Sequence, residues 1–239
     1  MSFKRIVVLT GAGVSAESGM GTFRDKNGIW TKHSIEDVAT PEGFARNPGL
    51  VHDFYNARRR ALRGASPNRA HFALARLEQS MRKTGGELML VTQNVDDLHE
   101  KAGSRSLLHM HGELSRVVCA ACGEKGAWDE DLFTDTECWR CGTPGALRPD
   151  VVWFGEMPYG IDDIYSRLSS CDLFASIGTS GEVYPAAGFV HEAQLAGAHT
   201  IEINLEPSAN ARIFSEGRYG PASQAVDAWA AELIGRIGA

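Results

Sequence analysis

Four cysteines carry the most specific chemical pattern in this chain. They form two pairs, Cys119-Ala120-Ala121-Cys122 and Cys138-Trp139-Arg140-Cys141, with fifteen residues between the pairs. Two such knuckles supply the four thiolates of a tetrahedral zinc ribbon. A closed thiolate shell leaves no position for water, so the metal is expected to be structural and not catalytic. The fifth cysteine, Cys171, reads as a buried, inert thiol. Just upstream of the first pair lies His109-Met110-His111-Gly112. Imidazole is the usual general base near neutral pH. On an extended segment the two histidines would face the same way, and Gly112 would permit close backbone approach beside His111. Structural or surface histidines are the plain alternative.

Three further clusters could hold a nucleotide. Gly11-Ala12-Gly13-Val14-Ser15-Ala16 has the small residues of a dinucleotide-binding turn. Gly11 would permit the turn, Gly13 the approach of a phosphate, and the following helix start would offer N–H groups to an anion. A plain strand-to-helix turn would look similar, and no acid ends a second strand about twenty residues on, as an ordinary fingerprint requires. Instead Thr22-Phe23-Arg24-Asp25 and Gly28-Ile29-Trp30 suggest a loop that folds over a ligand. Thr92-Gln93-Asn94-Val95-Asp96 crowds amides and a carboxylate together, which suits ribose hydroxyls and a carboxamide, or the cap of a helix. Gly178-Thr179-Ser180-Gly181 and Asn204-Leu205-Glu206 offer anion or ribose contacts, or ordinary turns.

Each of these clusters follows an apolar run that reads as a buried strand: Lys4–Thr10, Glu87–Thr92, Leu173–Gly178 and Thr200–Leu205. Helix candidates lie between them. Asn47-Pro48 opens one through about Leu62, and Ser66-Pro67 another through about Leu77. Ala186–Leu195 follows Pro185 and stops at Gly197, and Ser223–Ile237 is the last. Alternating strands and helices predict an α/β fold with a parallel, Rossmann-like sheet covered by helices on both faces. Ligands then sit beyond the carboxyl ends of the strands. Residues 1–33, 66–114 and 149–239 are expected to form this large part. A helical stretch, 34–65, and the zinc segment, 115–148, would form a small one.

The chain has 239 residues, 43% of them hydrophobic, and a net charge of −6. That is enough for a full core, and the acidic balance argues against a nucleic-acid partner. No apolar run approaches the roughly 18–20 residues of a membrane span, and the start lacks the apolar core of a signal peptide. A soluble, cytoplasmic protein is expected.

Taken together, Gly11–Trp30, Gln93–His99, His109–Leu114, the four cysteines, Val151–Glu156, Gly178–Ser180 and Asn204–Glu206 resemble the sirtuins. These are NAD-dependent protein-lysine deacylases, and the match is nearest the bacterial desuccinylase-like class. Met20 departs from the isoleucine usual there, a conservative apolar change. The resemblance implies that NAD is a consumed co-substrate and that His111 is the general base towards a ribose hydroxyl. It places Gly11, Ala12, Gly13, Ser15, Ala16, Glu17, Thr22, Phe23, Arg24 and Trp30 around the pyrophosphate and nicotinamide. Gln93, Asn94, Val95 and Asp96 would hold the ribose and carboxamide. Gly178, Thr179, Ser180, Asn204, Leu205, Glu206 and Ala222 would line the adenosine half. Val152, Phe154, Gly155 and Glu156 belong to the strand expected to pair with an extended acyl-lysine peptide. Tyr55 and Arg58, one helical turn apart, would read an acyl carboxylate, as in succinyl- or malonyl-lysine; acetyl would still be accepted. One structural Zn²⁺ is implied at Cys119, Cys122, Cys138 and Cys141. An acetyl-only deacetylase, a zinc-containing NAD dehydrogenase and a zinc-ribbon binding module are the rival readings. The dehydrogenase leaves Gln93, Asn94, Val95 and Asp96 together with His111 unexplained, and the acidic charge and the size of the α/β body speak against the binding module.

Overall fold

A computed structural model describes residues 3–21 and 34–237. Its main sheet has six parallel strands: β1 (Arg5–Thr10), β2 (Glu87–Thr92), β3 (Leu107–His109), β7 (Leu173–Ile177), β8 (His199–Asn204) and β9 (Glu216–Tyr219). They lie in the order β3-β2-β1-β7-β8-β9. The order reverses between β1 and β7, so a crevice opens at their carboxyl ends, where open α/β sheets bind ligands.

Side chains of a strand alternate between faces, and β1 feeds two cores. Ile6 and Val8 join Leu74, Leu77, Leu90, Ile201, Val226 and Trp229 under α4 (Arg69–Lys83) and α8 (Ala222–Ile237). Val7 and Leu9 join Phe174, Ile164, Leu168, Phe189 and Val190 under α6 (Ile161–Leu168) and α7 (Phe189–Leu195). Full burial of a leucine such as Leu74 or Leu77 is worth about 1.5–3 kcal/mol. Helices thus cover both faces, as expected. Among the described residues no helix is long and apolar enough to cross a membrane.

Three helices follow one another: α1 (Ile35–Val38), α2 (Pro41–Arg46) and α3 (Pro48–Gly64). Asn47 caps α3 by accepting from the Leu50 amide, with Pro48 in the first turn. Their apolar faces pack with Leu114, Val151 and Trp153. Leu114 and Val151 belong to a second, antiparallel sheet, β5-β4-β6, made of β4 (Gly112–Cys119), β5 (Lys125–Ala127) and β6 (Leu147–Val151).

Several local expectations need correction. The helix placed from Ser66-Pro67 begins at Arg69 and runs to Lys83. Asn68 is its cap, and His71 reaches back to the Asn68 amide in a capping box. The segment after Pro185 starts as a 3-10 turn, Ala186–Gly188, before α7. His109 and His111 do not share one strand: β3 ends at His109 and the chain turns before β4 begins at Gly112.

Candidate active site and metal centre

The crevice floor is an interlock of glycines. The Gly11 amide donates to the Ile177 carbonyl and the Gly13 amide to the Gly178 carbonyl, both at 2.9 Å. A Cβ on Gly13 would lie 2.7 Å from Gly178 Cα, and Gly178 has a φ of 65°. Gly13 is therefore needed for a backbone–backbone approach, and its amide is spent there. The turn continues as two short 3-10 segments, Ala12–Val14 and Ala16–Ser18, instead of a regular helix. Glu17 accepts from both the amide and the hydroxyl of Ser223, beside Ala222 at the start of α8. Thr22, Phe23, Arg24 and Trp30 lie outside the described residues.

Around the crevice stand Gln93, Thr179 and Ser180. Thr179 and Ser176 hydroxyls share a hydrogen bond at 2.9 Å, and Ser180 Oγ accepts from the Glu182 amide. Asn204 Nδ2 donates to the Thr179 carbonyl and to Glu202, which ties the end of β8 to that of β7. Leu205 and Glu206 follow, both exposed. This polar rim at the strand ends fits a nucleotide.

The cluster after β2 is held from below by a buried relay. Asn68 donates its amide to His71 Nδ1, so His71 carries its proton on Nε2, 3.3 Å from Ser15 Oγ. Ser15 Oγ also accepts from Asn94 Nδ2 at 3.1 Å. The Ser15 hydroxyl also acts on the nearby Asp96 carboxylate, which it helps to keep ionised. Burial holds His71 neutral, with its pKa lowered to about 4, and pushes the Asp96 pKa up, against the opposing bonds from Leu98 and Ser15. Asp96 also accepts from the Leu98 amide, the first of α5 (Leu98–Lys101), whose N-cap is Asp97. On the other side, Thr10 donates to Thr92, and His99 Nε2 lies 3.0 Å from Thr10 Oγ1. Val95 packs on the apolar side towards α3, and its carbonyl receives the Leu114 amide.

His111 is oriented by the same loop. Its Nδ1 lies 3.1 Å from the Gln93 carbonyl, which can only accept. The proton is therefore on Nδ1 and the lone pair on Nε2. Burial lowers the His111 pKa, with the Gln93 bond opposing, so the ring is a neutral base at pH 7. Gly112 allows the position: a Cβ there would lie 2.0 Å from the Asp150 carbonyl oxygen, and its φ is 77°. His109 Nδ1 donates to the Asn94 carbonyl at 3.1 Å, while its Nε2 meets Glu100 at 2.5 Å. Burial disfavours the His109 cation, but Glu100 outweighs it and the pKa is raised.

Tyr55 and Arg58 sit on α3. Tyr55 is buried and its hydroxyl accepts from Trp153 Nε1 at 2.9 Å. Burial raises its pKa to about 12, so it remains a donor. Arg58 is half-buried, with its guanidinium over the Phe54 ring and within electrostatic reach of Tyr55 and Asp96. Val152–Glu156 is no strand here. Val152 donates to the His111 carbonyl, and Phe154, Gly155 and Glu156 form a turn in which Glu156 accepts from the Trp153 amide and pairs with Arg148. Gly155, at φ 90°, and the Glu156 carboxylate bend the chain here, so the segment forms no regular strand of its own.

The cysteine knuckles repeat one geometry. Gly123 donates to the Cys119 carbonyl and Gly142 to the Cys138 carbonyl. Cys119 and Cys141 Sγ atoms lie 3.8 Å apart, as do those of Cys122 and Cys138. Four sulfurs about 2.3 Å from one tetrahedral Zn²⁺ would be about 3.8 Å apart along each edge. The donor set and its spacing fit zinc.

Sequence reasoning missed His71, His99, Thr10 and Trp153 as supports. The Asn68-x-x-His71 spacing was the available signal for the first. The others act through contacts between distant segments.

The Sir2 family model matches residues 11–185. An NAD-dependent protein deacylase from Caulobacter vibrioides is 60% identical over 235 residues, which is 98% of both chains. One from Salmonella typhimurium is 58% identical over 95% of this chain and 82% of its own. A Sir2 homologue solved in complex with NAD shares the fold at a TM-score of 0.88 and 37% identity, over 98% of this chain and 91% of its own. By family model, whole-length identity and fold alike, this chain belongs to the Sir2 family.

Proposed function

We infer that this chain is an NAD-dependent protein-lysine deacylase that removes acetyl and succinyl groups, and by the same chemistry malonyl, yielding nicotinamide and O-acyl-ADP-ribose. The carrying observation is the His111 tautomer, with Nδ1–H tied to the Gln93 carbonyl and the basic lone pair left on Nε2. When bound, NAD supplies the electrophilic ribose carbon and the nicotinamide leaving group. The chain's residues do the rest. Asn94 and Asp96, fixed through Ser15, orient ribose and carboxamide. Gln93 holds the ribose, and His111 takes a proton from a ribose hydroxyl. Gly178, Thr179, Ser180, Asn204 and Leu205 flank the adenosine. Tyr55 has its oxygen occupied by Trp153, so its O–H hydrogen is left to donate; with Arg58 it would bind an acyl carboxylate. Zn²⁺ on the four cysteines holds the small part, 34–65 and 115–148, against the large one. Val152–Glu156 receives the peptide backbone of protein substrates. A cytoplasmic location suits an enzyme with five thiols and no disulfide among the described residues.

Mass spectrometry of acetyl-, malonyl- and succinyl-lysine peptides with and without NAD tests this reading. Deacylated peptide and O-acyl-ADP-ribose should form only with NAD. No deacylation of any peptide would overturn the activity, and deacetylation alone would overturn the wider acyl range.

A further inference from the structure

We propose that Glu100, His109 and Glu113 form a second divalent-cation site, separate from the four cysteines and selective for ions that accept nitrogen and carboxylate ligands, such as Zn²⁺ or Mn²⁺. One ligand atom from each residue lies within 4.8 Å of the others. The three come from different elements, α5, β3 and β4, so the fold and not local sequence gathers them.

His109 has the build of a metal ligand. Its Nδ1–H is committed to the Asn94 carbonyl at 3.1 Å, and its ring is only 10% exposed. Ligating histidines characteristically donate their other ring N–H to a carbonyl or carboxylate, which fixes the ring and raises the basicity of the ligating nitrogen. Here that bond aims Nε2 at Glu100 Oε1, 2.5 Å away, with Glu113 beside it. Two carboxylates balance a 2+ charge, and one imidazole with two carboxylates is a donor set that zinc accepts and that suits manganese better than thiolates do. Ligand atoms about 2.1 Å from one ion stand roughly 3–3.4 Å apart, so the Glu100–His109 pair must open slightly and Glu113 must close in. Glu100 is 40% exposed and has room to move. Of the other charges near the site, Arg116 is 3.7 Å from Glu113 and 3.8 Å from Asp150, so it competes for Glu113 and must turn to Asp150 when an ion binds; Lys101 is paired with Asp97. An ion here would take the place of the proton between Nε2 and Glu100. It would pin α5, β3 and β4 around the Asn94 carbonyl.

The test uses the whole protein with its cysteine-bound zinc retained. It is dialysed against Zn²⁺ or Mn²⁺ and its metal counted by plasma mass spectrometry, with affinity from calorimetry. The expected result is one cation beyond the structural zinc and a melting temperature that rises saturably with it. Loss of even an outer partner of a metal site costs about 10–100-fold in affinity. Glu113→Gln, Glu100→Gln and His109→Ala should each weaken the second site by at least about tenfold and leave the first zinc in place. The two glutamine variants keep side-chain shape, so they read the site even if His109→Ala disturbs the Asn94 loop. A wild-type count of one metal per chain, or a second cation held equally by all three variants, would overturn the proposal and leave His109–Glu100 as an ion pair only.

Discussion

The proposed acyl reader can be dissected at Tyr55 and Arg58, because the structure separates their roles in folding from their roles in binding. Arg58→Met keeps most of the apolar stem and removes the guanidinium, which lies 5.7 Å from the centre of the Phe54 ring. Tyr55→Phe keeps the ring against Phe54 and Trp153. It also deprives the Trp153 Nε1–H of its acceptor at 2.9 Å. A buried donor left unpaired costs about 1–3 kcal/mol of stability, so Tyr55→Phe should melt earlier; adding Trp153→Phe removes that orphan and should recover part of the loss. For binding, a lost hydrogen bond to a charged group costs roughly 1.5–3 kcal/mol, or about one to two decades in kcat/KM. Steady-state kinetics on matched succinyl- and acetyl-lysine peptides should therefore show desuccinylation falling about 10–100-fold in Arg58→Met while deacetylation changes far less. If both activities fell in parallel in both variants, after correction for folded fraction, the residues would be structural and the acyl assignment would be withdrawn.

His111→Ala should lower turnover by about 10²–10⁴-fold with NAD binding preserved, and His109→Ala much less; wild-type turnover without the His111 ring would refute its role as base. Burial lowers the His111 pKa, so the base form persists as pH falls, and the acid limb of kcat/KM should lie below the usual 6.5; a limb at or above 6.5 would contradict the geometry. His71 and His52 are both buried, with pKa values lowered to about 4 chiefly by burial. In the unfolded chain they protonate near 6.5, so their contribution to stability is complete above that pH and is lost as pH falls towards 4, by roughly 2 kcal/mol each at pH 5. Urea unfolding at pH 7.5 and 5 measures this, and equal stabilities would refute it. Each chain should carry about one Zn²⁺ on its cysteines, any Cys→Ser change should lower stability before chemistry, and a metal content near zero in protein purified without chelator would overturn the centre.

What the sequence made legible was chemistry concentrated in short segments. The four cysteines read as one site because two-residue gaps are rare and have few uses. β1, β2, β7 and β8 read as strands because both faces are buried and their runs are unbroken. β3 and β9 escaped notice because they are short edge strands, three and four residues long: β3 is too short to show a period and β9 carries Glu216 and Arg218. The misplaced start of α4 has a local cause: Ser66-Pro67 carries stronger statistical capping signals than Asn68, yet the His71 side chain decides the boundary. The Val152–Glu156 turn was hidden because apolar β-formers dominate it, whereas Gly155 and the Glu156 carboxylate bend the chain. The relay from His71 through Ser15 to Asn94 spans 56 and 79 residues in its two bonds. No periodicity reports such a contact.

One further consequence joins the zinc ribbon to the acyl-reading helix. Asn56 stands between Tyr55 and Arg58 on the buried side of α3. Its Oδ1 accepts from the Leu132 amide at 2.9 Å and from Arg59 at 2.8 Å, and its Nδ2 donates to the Leu132 carbonyl at 2.9 Å. Leu132 belongs to the cluster packed around Cys119 and Cys138. Arg59 adds a bond to the Leu114 carbonyl, and Arg60 pairs with Asp131. The helix is therefore pinned to the loop between the two knuckles by groups that touch neither metal nor crevice. Asn56→Ala would leave the Leu132 amide and carbonyl and the Arg59 guanidinium short of partners in a dry site, at about 1–3 kcal/mol for each group left unsatisfied. Asn56→Asp keeps the acceptor and loses the donor, so its cost should be smaller. If this clamp sets the Tyr55–Arg58 geometry, Asn56→Ala should depress desuccinylation more than deacetylation in the folded fraction, with zinc content unchanged. Loss of stability with an unaltered ratio of the two activities would instead mean that α3 keeps its place through the Phe54, Tyr55 and Trp153 packing alone.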